Sequence, residues 1–180
     1  MNSKSICMLG GTGFVGRHLA TRLANRGHRI TVLTRHPQRH RDIEVLPGAR
    51  LVEADIHDPT VLQAQFAGCD AVVNLVGILH EYPGQTFAAV HAELPGKVTD
   101  ACRAAGARRL LHMSALRADA AQGPSQYLFT KGAGERKVME SRDLAVTCFK
   151  PSIVFAPNDN FLNQFANMLK GVPVLPLACP

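Results

Sequence analysis

Residues Gly10-Gly11-Thr12-Gly13-Phe14-Val15-Gly16 follow directly on the apolar run Ile6-Cys7-Met8-Leu9. A buried strand followed at once by glycines, and then by an amphipathic stretch, predicts a tight strand-to-helix turn. Glycine lets the backbone bend sharply and lets another group approach with no Cβ in the way. The run satisfies both Gly11-x-Gly13-x-x-Gly16 and Gly10-x-x-Gly13-x-x-Gly16. By itself such a pattern also fits a plain turn. The flanking elements favour a dinucleotide site, in which the helix amino end presents free N–H groups and a positive dipole to a pyrophosphate.

The remaining pattern alternates strands and helices. Strands are expected at Lys4–Leu9, Arg29–Thr34, Arg50–Ala54, Ala71–Val76, Arg108–His112 and Leu144–Lys150. The first helix is expected over Gly13–Arg26 with Gly27 as its C-cap, and a short one opens at Asp58-Pro59. The longest helical period covers Thr86–Ala105, with Pro95 inside it in conflict with a regular helix. A helix is expected over Ser125–Glu140 and another over Phe161–Lys170, followed by an apolar tail at Val172–Ala178. Repeated βα units predict an α/β fold, a doubly wound parallel sheet of Rossmann type with helices on both faces. Ligands in such sheets bind outside the carboxyl ends of the strands. We expect a dinucleotide-binding domain over residues 1–157, with 158–180 beginning a truncated substrate-binding portion.

Charge and cysteines limit the alternatives. The chain carries a formal +6, which suits an anionic ligand but does not exclude nucleic acid or an anionic surface. Its densest basic stretch, Arg35-His36-Pro37-Gln38-Arg39-His40-Arg41, is short and lacks interleaved aromatics, so it reads as a cofactor-side loop and not a nucleic-acid interface. Five scattered cysteines without a Cys-x-x-Cys, and eight histidines without a metal-ligand spacing, argue for a reducing, cytoplasmic setting and against a metal site. No secretory signal fits the amino terminus, and the longest apolar stretch, around Ala71–Leu79, is too short to cross a bilayer.

Chemistry-bearing residues come from the second half. Tyr127 and Lys131 stand four apart on one expected helix face, so their side chains reach the same patch. A phenol titrates near 10, and a neighbouring ammonium is expected to lower that value and make Tyr127 an acid/base group. Ser114, at the end of the fifth strand, is placed to hydrogen-bond a substrate carbonyl or hydroxyl beside it. The alternative for the pair is a packed ring beside a solvated charge.

The glycine turn, strand-end serine and Tyr/Lys pair, in this order, resemble the short-chain dehydrogenase/reductase superfamily in its extended, atypical branch of NAD(P)-dependent epimerases, dehydratases and reductases. Leu75-Val76-Gly77-Ile78-Leu79-His80-Glu81, His91-Ala92-Glu93-Leu94-Pro95 and Val174-Leu175-Pro176-Leu177 are similar to bacterial relatives of the nucleotide-binding accessory subunit of mitochondrial complex I. The resemblance implies Ser114, Tyr127 and Lys131 as catalytic residues. It implies cofactor contacts at Gly10, Thr12, Gly13, Phe14, Val15, Gly16, Arg35, Asp55, Ile56, Leu75, Val76, Gly77, Lys131 and Pro151. The stretch Lys150-Pro151…Ala156-Pro157 departs from the family's Arg-Pro…Gly-Pro pattern at Lys150 and Ala156. The second strand ends in Arg35, with no acid before Asp42, so NADP is expected over NAD: a guanidinium forks onto a 2′-phosphate where an acid would take a ribose hydroxyl. Two functions follow. One is an NADP(H)-dependent oxidoreductase or epimerase/dehydratase with a small-molecule substrate. The other is a non-catalytic NADP(H)-binding accessory protein, structural or redox-sensing, with a protein complex as partner.

Overall fold

A computed structural model describes residues 2–157, 159, 163 and 170. The expected helix at Phe161–Lys170 lies outside the described residues but for Asn163 and Lys170, and the tail Val172–Ala178 lies wholly outside them. Six parallel strands form one sheet: β1 (Ser5–Leu9), β2 (Arg29–Thr34), β3 (Ala49–Glu53), β4 (Ala71–Asn74), β5 (Arg109–Met113) and β6 (Ala145–Phe149), in the order β3-β2-β1-β4-β5-β6. The chain reverses direction across the sheet between β1 and β4, whose ends are in register at Leu9 and Asn74. That junction is the switch point at which doubly wound sheets open a crevice.

Helix α1 (Phe14–Ala24) covers one face, where Ala20, Ala24 and Ile43 pack on Met8, Ile30 and Val32. Helices α2 (Pro59–Phe66), α3 (Leu94–Ala105) and α4 (Gln126–Met139) cover the other, with Leu62, Phe66, Leu94, Val98 and Val138 packed on Cys7, Val72 and Leu110. Between β2 and β3 the chain makes only two short 3-10 turns, at Pro37–Arg39 and Arg41–Ile43. Helix α1 stops at Ala24, earlier than expected, and Gly27 takes the left-handed turn (φ +77°) that leads into β2. Asp58 caps α2 as its Oδ1 accepts the Thr60 N–H at 2.8 Å.

The conflict at Pro95 resolves locally. Residues Ala88–Glu93 form a π-helical turn that runs straight into α3. Proline has no N–H for the carbonyl of His91, four residues earlier, and the wider turn keeps its ring off that carbonyl. The His91 carbonyl then faces α4 at Gly134, where an added Cβ would lie 1.9 Å from it. A proline on one helix therefore requires a glycine on the next.

Candidate nucleotide and catalytic site

The glycine turn sits at the switch point and is fixed by sterics. Gly10 adopts φ +73°, and a Cβ there would lie 2.9 Å from the backbone carbon of Leu75, across on β4's extension. At Gly16 a Cβ would meet the Gly10 carbonyl oxygen at 2.4 Å and the Gly11 Cα at 2.5 Å, so this glycine lets α1 press against the turn. Gly13 is different: a Cβ there would meet the Gly10 oxygen at 3.3 Å, a tight approach that a shift of a few tenths of an ångström relieves. Gly13 also caps α1 without a side chain, and no acid lies in the first turn. The first-turn N–H groups thus face the groove with their charge unneutralised. This cradle, with donors at its floor and no Cβ to fill it, fits a diphosphate.

The structure brings most expected cofactor residues together. Gly10, Thr12, Gly13, Arg35, Ile56, Leu75, Val76 and Gly77 line one groove of about 270 Å³. Asp55 lines the adjoining cavity of about 720 Å³, which shares Arg35 with the groove; its Oδ1 accepts the His57 N–H at 2.9 Å. Val15 and Pro151 line a third cavity, of about 240 Å³, with Ser114, Tyr127 and Lys131. Gly77 lines both this cavity and the groove, so the two are contiguous. Gly16 acts beneath the surface, and the Phe14 ring packs edge-on against His18 with centroids 5.2 Å apart. Asp42, the first acid after β2, pairs with Arg17 of α1, whose guanidinium also meets His40. The basic loop is therefore tied back to the helix.

At this third cavity the expected residues converge, but their bonds differ from expectation. Lys131 is 4% exposed and donates to the Met113 carbonyl at 2.5 Å. Burial holds its ammonium down to about 8, a cost to the charged form offset only in part by Cys148 and Glu135. The anticipated lowering of Tyr127 does not occur: burial pushes its phenol above the usual value, and Lys131 is engaged elsewhere. Tyr127 therefore keeps its proton through neutral pH. Ser114 donates its hydroxyl proton to Glu135 Oε2 at 2.6 Å, and Lys150 donates to Glu135 Oε1 at 2.9 Å. With that proton committed to Glu135, the Ser114 oxygen faces the cavity as an acceptor, which suits a substrate hydroxyl over a carbonyl. Lys150, where the chain departs from the family's arginine, is thus the charge partner of Glu135.

Three residues not singled out as site residues support this cavity. His91 is buried against Tyr127, edge-on with ring centroids 5.2 Å apart, and stacks on Phe87. Its Nε2 accepts the Ile78 N–H at 3.0 Å, so the proton sits on Nδ1 and is donated to Thr130 Oγ1 at 3.2 Å. Burial and the Lys131 charge hold the ring down to about 4, hence neutral. Glu135 follows Lys131 by one turn of α4, a spacing the sequence carries in plain view. His112, on β5, meets the Asn74 amide through Nδ1 at 3.4 Å while its buried Nε2 has no partner among the described residues. Among those residues no His/Cys/Asp/Glu group has the makings of a metal site, and no helix is long and apolar enough to cross a membrane.

Residues 10–160 match the family described as NAD(P)H-binding. A ceramide reductase of Caulobacter vibrioides is 32% identical over 177 residues, covering 96% of this chain and 53% of that protein. The mouse mitochondrial NADH dehydrogenase [ubiquinone] 1 alpha subcomplex subunit 9 is 29% identical over 167 residues, 89% of this chain and 43% of that one. The chain spans about half the length of these relatives. Its fold matches the Bordetella bronchiseptica enzyme WbmH, solved in complex with NAD+, with TM-score 0.76 at 19% identity, covering 94% of this chain and 63% of that one. The glycine cradle, the switch-point groove and the match over most of its length agree: the chain belongs to the NAD(P)H-binding family.

Proposed function

We propose that this chain is the nucleotide-binding part of an NADP(H)-dependent oxidoreductase or epimerase/dehydratase of the short-chain type. The observation that carries the reading is the convergence of Ser114, Tyr127 and Lys131 on one cavity contiguous with the glycine groove. A bound nicotinamide supplies hydride chemistry there; the side chains supply proton handling and orientation. Tyr127, its proton retained by burial, is the general acid for an oxygen that gains negative charge. Lys131 brings a buried positive charge to the cavity wall and holds the cofactor ribose. Ser114 accepts a hydrogen bond from a substrate hydroxyl while Glu135 holds its proton. The preference for NADP rests on Arg35, which lines the groove and pairs with no carboxylate among the described residues. The free cysteines fit a reducing compartment such as the cytoplasm.

A second reading, a non-catalytic nucleotide-binding member of a larger protein complex, is favoured by the likeness to the mouse mitochondrial subunit over 89% of this chain. Tyr127→Phe separates the two. Under the catalytic reading, NADPH binds the variant as it binds the wild type, while turnover of carbonyl substrates falls by about 10²–10⁴-fold, the worth of a general acid. A wild-type protein that binds NADPH but oxidises it with no ketone or aldehyde of a broad panel supports the accessory role. Turnover that survives the substitution removes Tyr127 from the chemistry.

A further inference from the structure

Arg35 has a partner across the groove. Between β4 and the π-turn the chain folds back on itself: Tyr82 N–H donates to the Gln85 carbonyl at 3.2 Å and Gln85 N–H to the Tyr82 carbonyl at 2.8 Å. Gly84, at φ +80°, closes this turn. The segment is then pinned to the next helix, since the Glu81 carboxylate accepts the Phe87 N–H at 2.6 Å and Thr86 Oγ1 accepts the Ala89 N–H at 3.1 Å. Gln85 therefore extends from a backbone held on both sides. Its amide oxygen, in the orientation that satisfies both groups, accepts from Arg35 Nη1 and from Arg35 Nη2, the latter at 3.0 Å. Gln85, Arg35 and His57 line both the nucleotide groove and the larger cavity beside it.

We propose that Gln85 is a positioning residue for cofactor choice, which orients the Arg35 guanidinium toward the 2′-phosphate of NADP(H). The proposal rests on the reading that Arg35 faces that phosphate. A guanidinium carries five N–H donors on two usable edges. Gln85 takes the edge formed by Nη1 and Nη2, which leaves Nε–H and the second Nη2–H as a fork for a phosphate. Being neutral, the amide fixes the plane of the guanidinium without cancelling its charge. The acids that line the same cavity, Glu53 and Asp55, form no ion pair with Arg35 among the described residues. A freely rotating arginine at this exposed strand end would lose side-chain freedom each time it met the phosphate. Gln85 removes part of that loss beforehand, and NADH, which lacks the phosphate, gains nothing from it.

The test compares dissociation constants for NADPH and NADH, by fluorescence titration of the full chain, in the wild type, Gln85→Ala, Gln85→Glu and Arg35→Ala. We expect Gln85→Ala to weaken NADPH about fivefold, the worth of one modest hydrogen bond, with NADH unchanged. Gln85→Glu, which neutralises the guanidinium and repels the phosphate, is expected to lower the NADPH-over-NADH preference by more than about tenfold. Damage to the loop alone would move both cofactors together and overturns the proposal. An unchanged ratio in both Gln85 variants overturns it as well. If Arg35→Ala still lowers the ratio in that case, only the role of Gln85 falls; if Arg35→Ala leaves the ratio unchanged too, the assignment of Arg35 to the phosphate falls with it.

Discussion

Four helical segments rise from the carboxyl edge of the sheet, and their amino ends are treated differently. Asp58 caps α2, Ser125 caps α4 by accepting the Leu128 N–H at 3.2 Å, and Thr86 Oγ1 takes an N–H of the π-turn ahead of α3. At α1, Gly13 offers nothing. A capping side chain contributes about 1 kcal/mol, and here that contribution is forgone beside a run of steric glycines. The donors left open are the ones an anion would use. At the other end of the groove the arrangement inverts. At α4 the Ser125 cap takes the Leu128 N–H, and the chemistry lies in side chains: a buried ammonium bonded to the Met113 carbonyl, a protonated phenol and a carboxylate shared between Ser114 and Lys150. One half is defined by what it lacks, the other by charges it holds at a cost.

If that contrast is right, the largest effect of a single substitution comes from the glycine half. In Gly16→Ala the new methyl has only backbone atoms to displace, at 2.4–2.6 Å, and α1 must tilt away from the turn. We expect about 4 kcal/mol of lost stability, at the upper end for overpacking, together with loss of nucleotide binding. Urea denaturation of the variant measures it. A loss below about 1 kcal/mol would mean that α1 does not press on the turn as described.

The acidic and basic half predicts the opposite sign. Lys131 titrates near 8 in the folded chain against 10.5 in the unfolded one. Below pH 8 both states are charged and the full burial cost stands; between pH 8 and 10.5 the folded state alone gives up its proton, so stability rises with pH across that window. Lys131→Met removes the charge. Allowing for the lost bond to the Met113 carbonyl, it should gain about 2 kcal/mol at pH 7 and flatten the rise above pH 8, while abolishing any turnover. Thermal unfolding at pH 7 and pH 10 reads both. A variant less stable than the wild type at pH 7 would show that the ammonium is structural and not held for chemistry.

The same contrast explains what the sequence revealed. The glycine half is largely local: Gly13 and Gly16 meet Gly10 and Gly11 within seven positions, so their spacing carried the turn, the strand before it and the helix after it, while the approach of Gly10 to Leu75 was not in that spacing. The parallel sheet with helices on both faces followed from the alternation of elements. Tyr127 and Lys131 were legible because four residues on a helix is also a local distance. Their partners were not. That Lys131 meets Met113, that Ser114 gives its proton to Glu135, and that Gln85 meets Arg35 depend on which strands and loops are neighbours, over separations of 18 to 50 residues. The expected lowering of the Tyr127 phenol failed for this reason, since it assumed that the nearest charge in sequence was free to act. Gly134 is the converse case: an isolated helical glycine gives no motif, and its necessity comes from a carbonyl exposed by Pro95 on another helix.

The smallest predicted effect on stability is the sharpest test of the contrast, because it separates two glycines of one motif. Gly13 sits at φ −76°, ψ 178°, a conformation open to any residue, and its added Cβ would touch only the Gly10 oxygen, at 3.3 Å. Gly13→Ala should therefore cost less than about 1 kcal/mol in urea denaturation. The methyl nevertheless stands at the mouth of the cradle, where a diphosphate must approach the first-turn N–H groups closely. Dinucleotide affinity, for NADPH and NADH alike, is expected to fall by at least about tenfold, roughly 1.4 kcal/mol of binding free energy. A variant that folds as the wild type does and also binds as tightly would mean that the open donors of α1 do not hold the anion. In that event the difference between α1 and its capped neighbours would be a matter of packing alone.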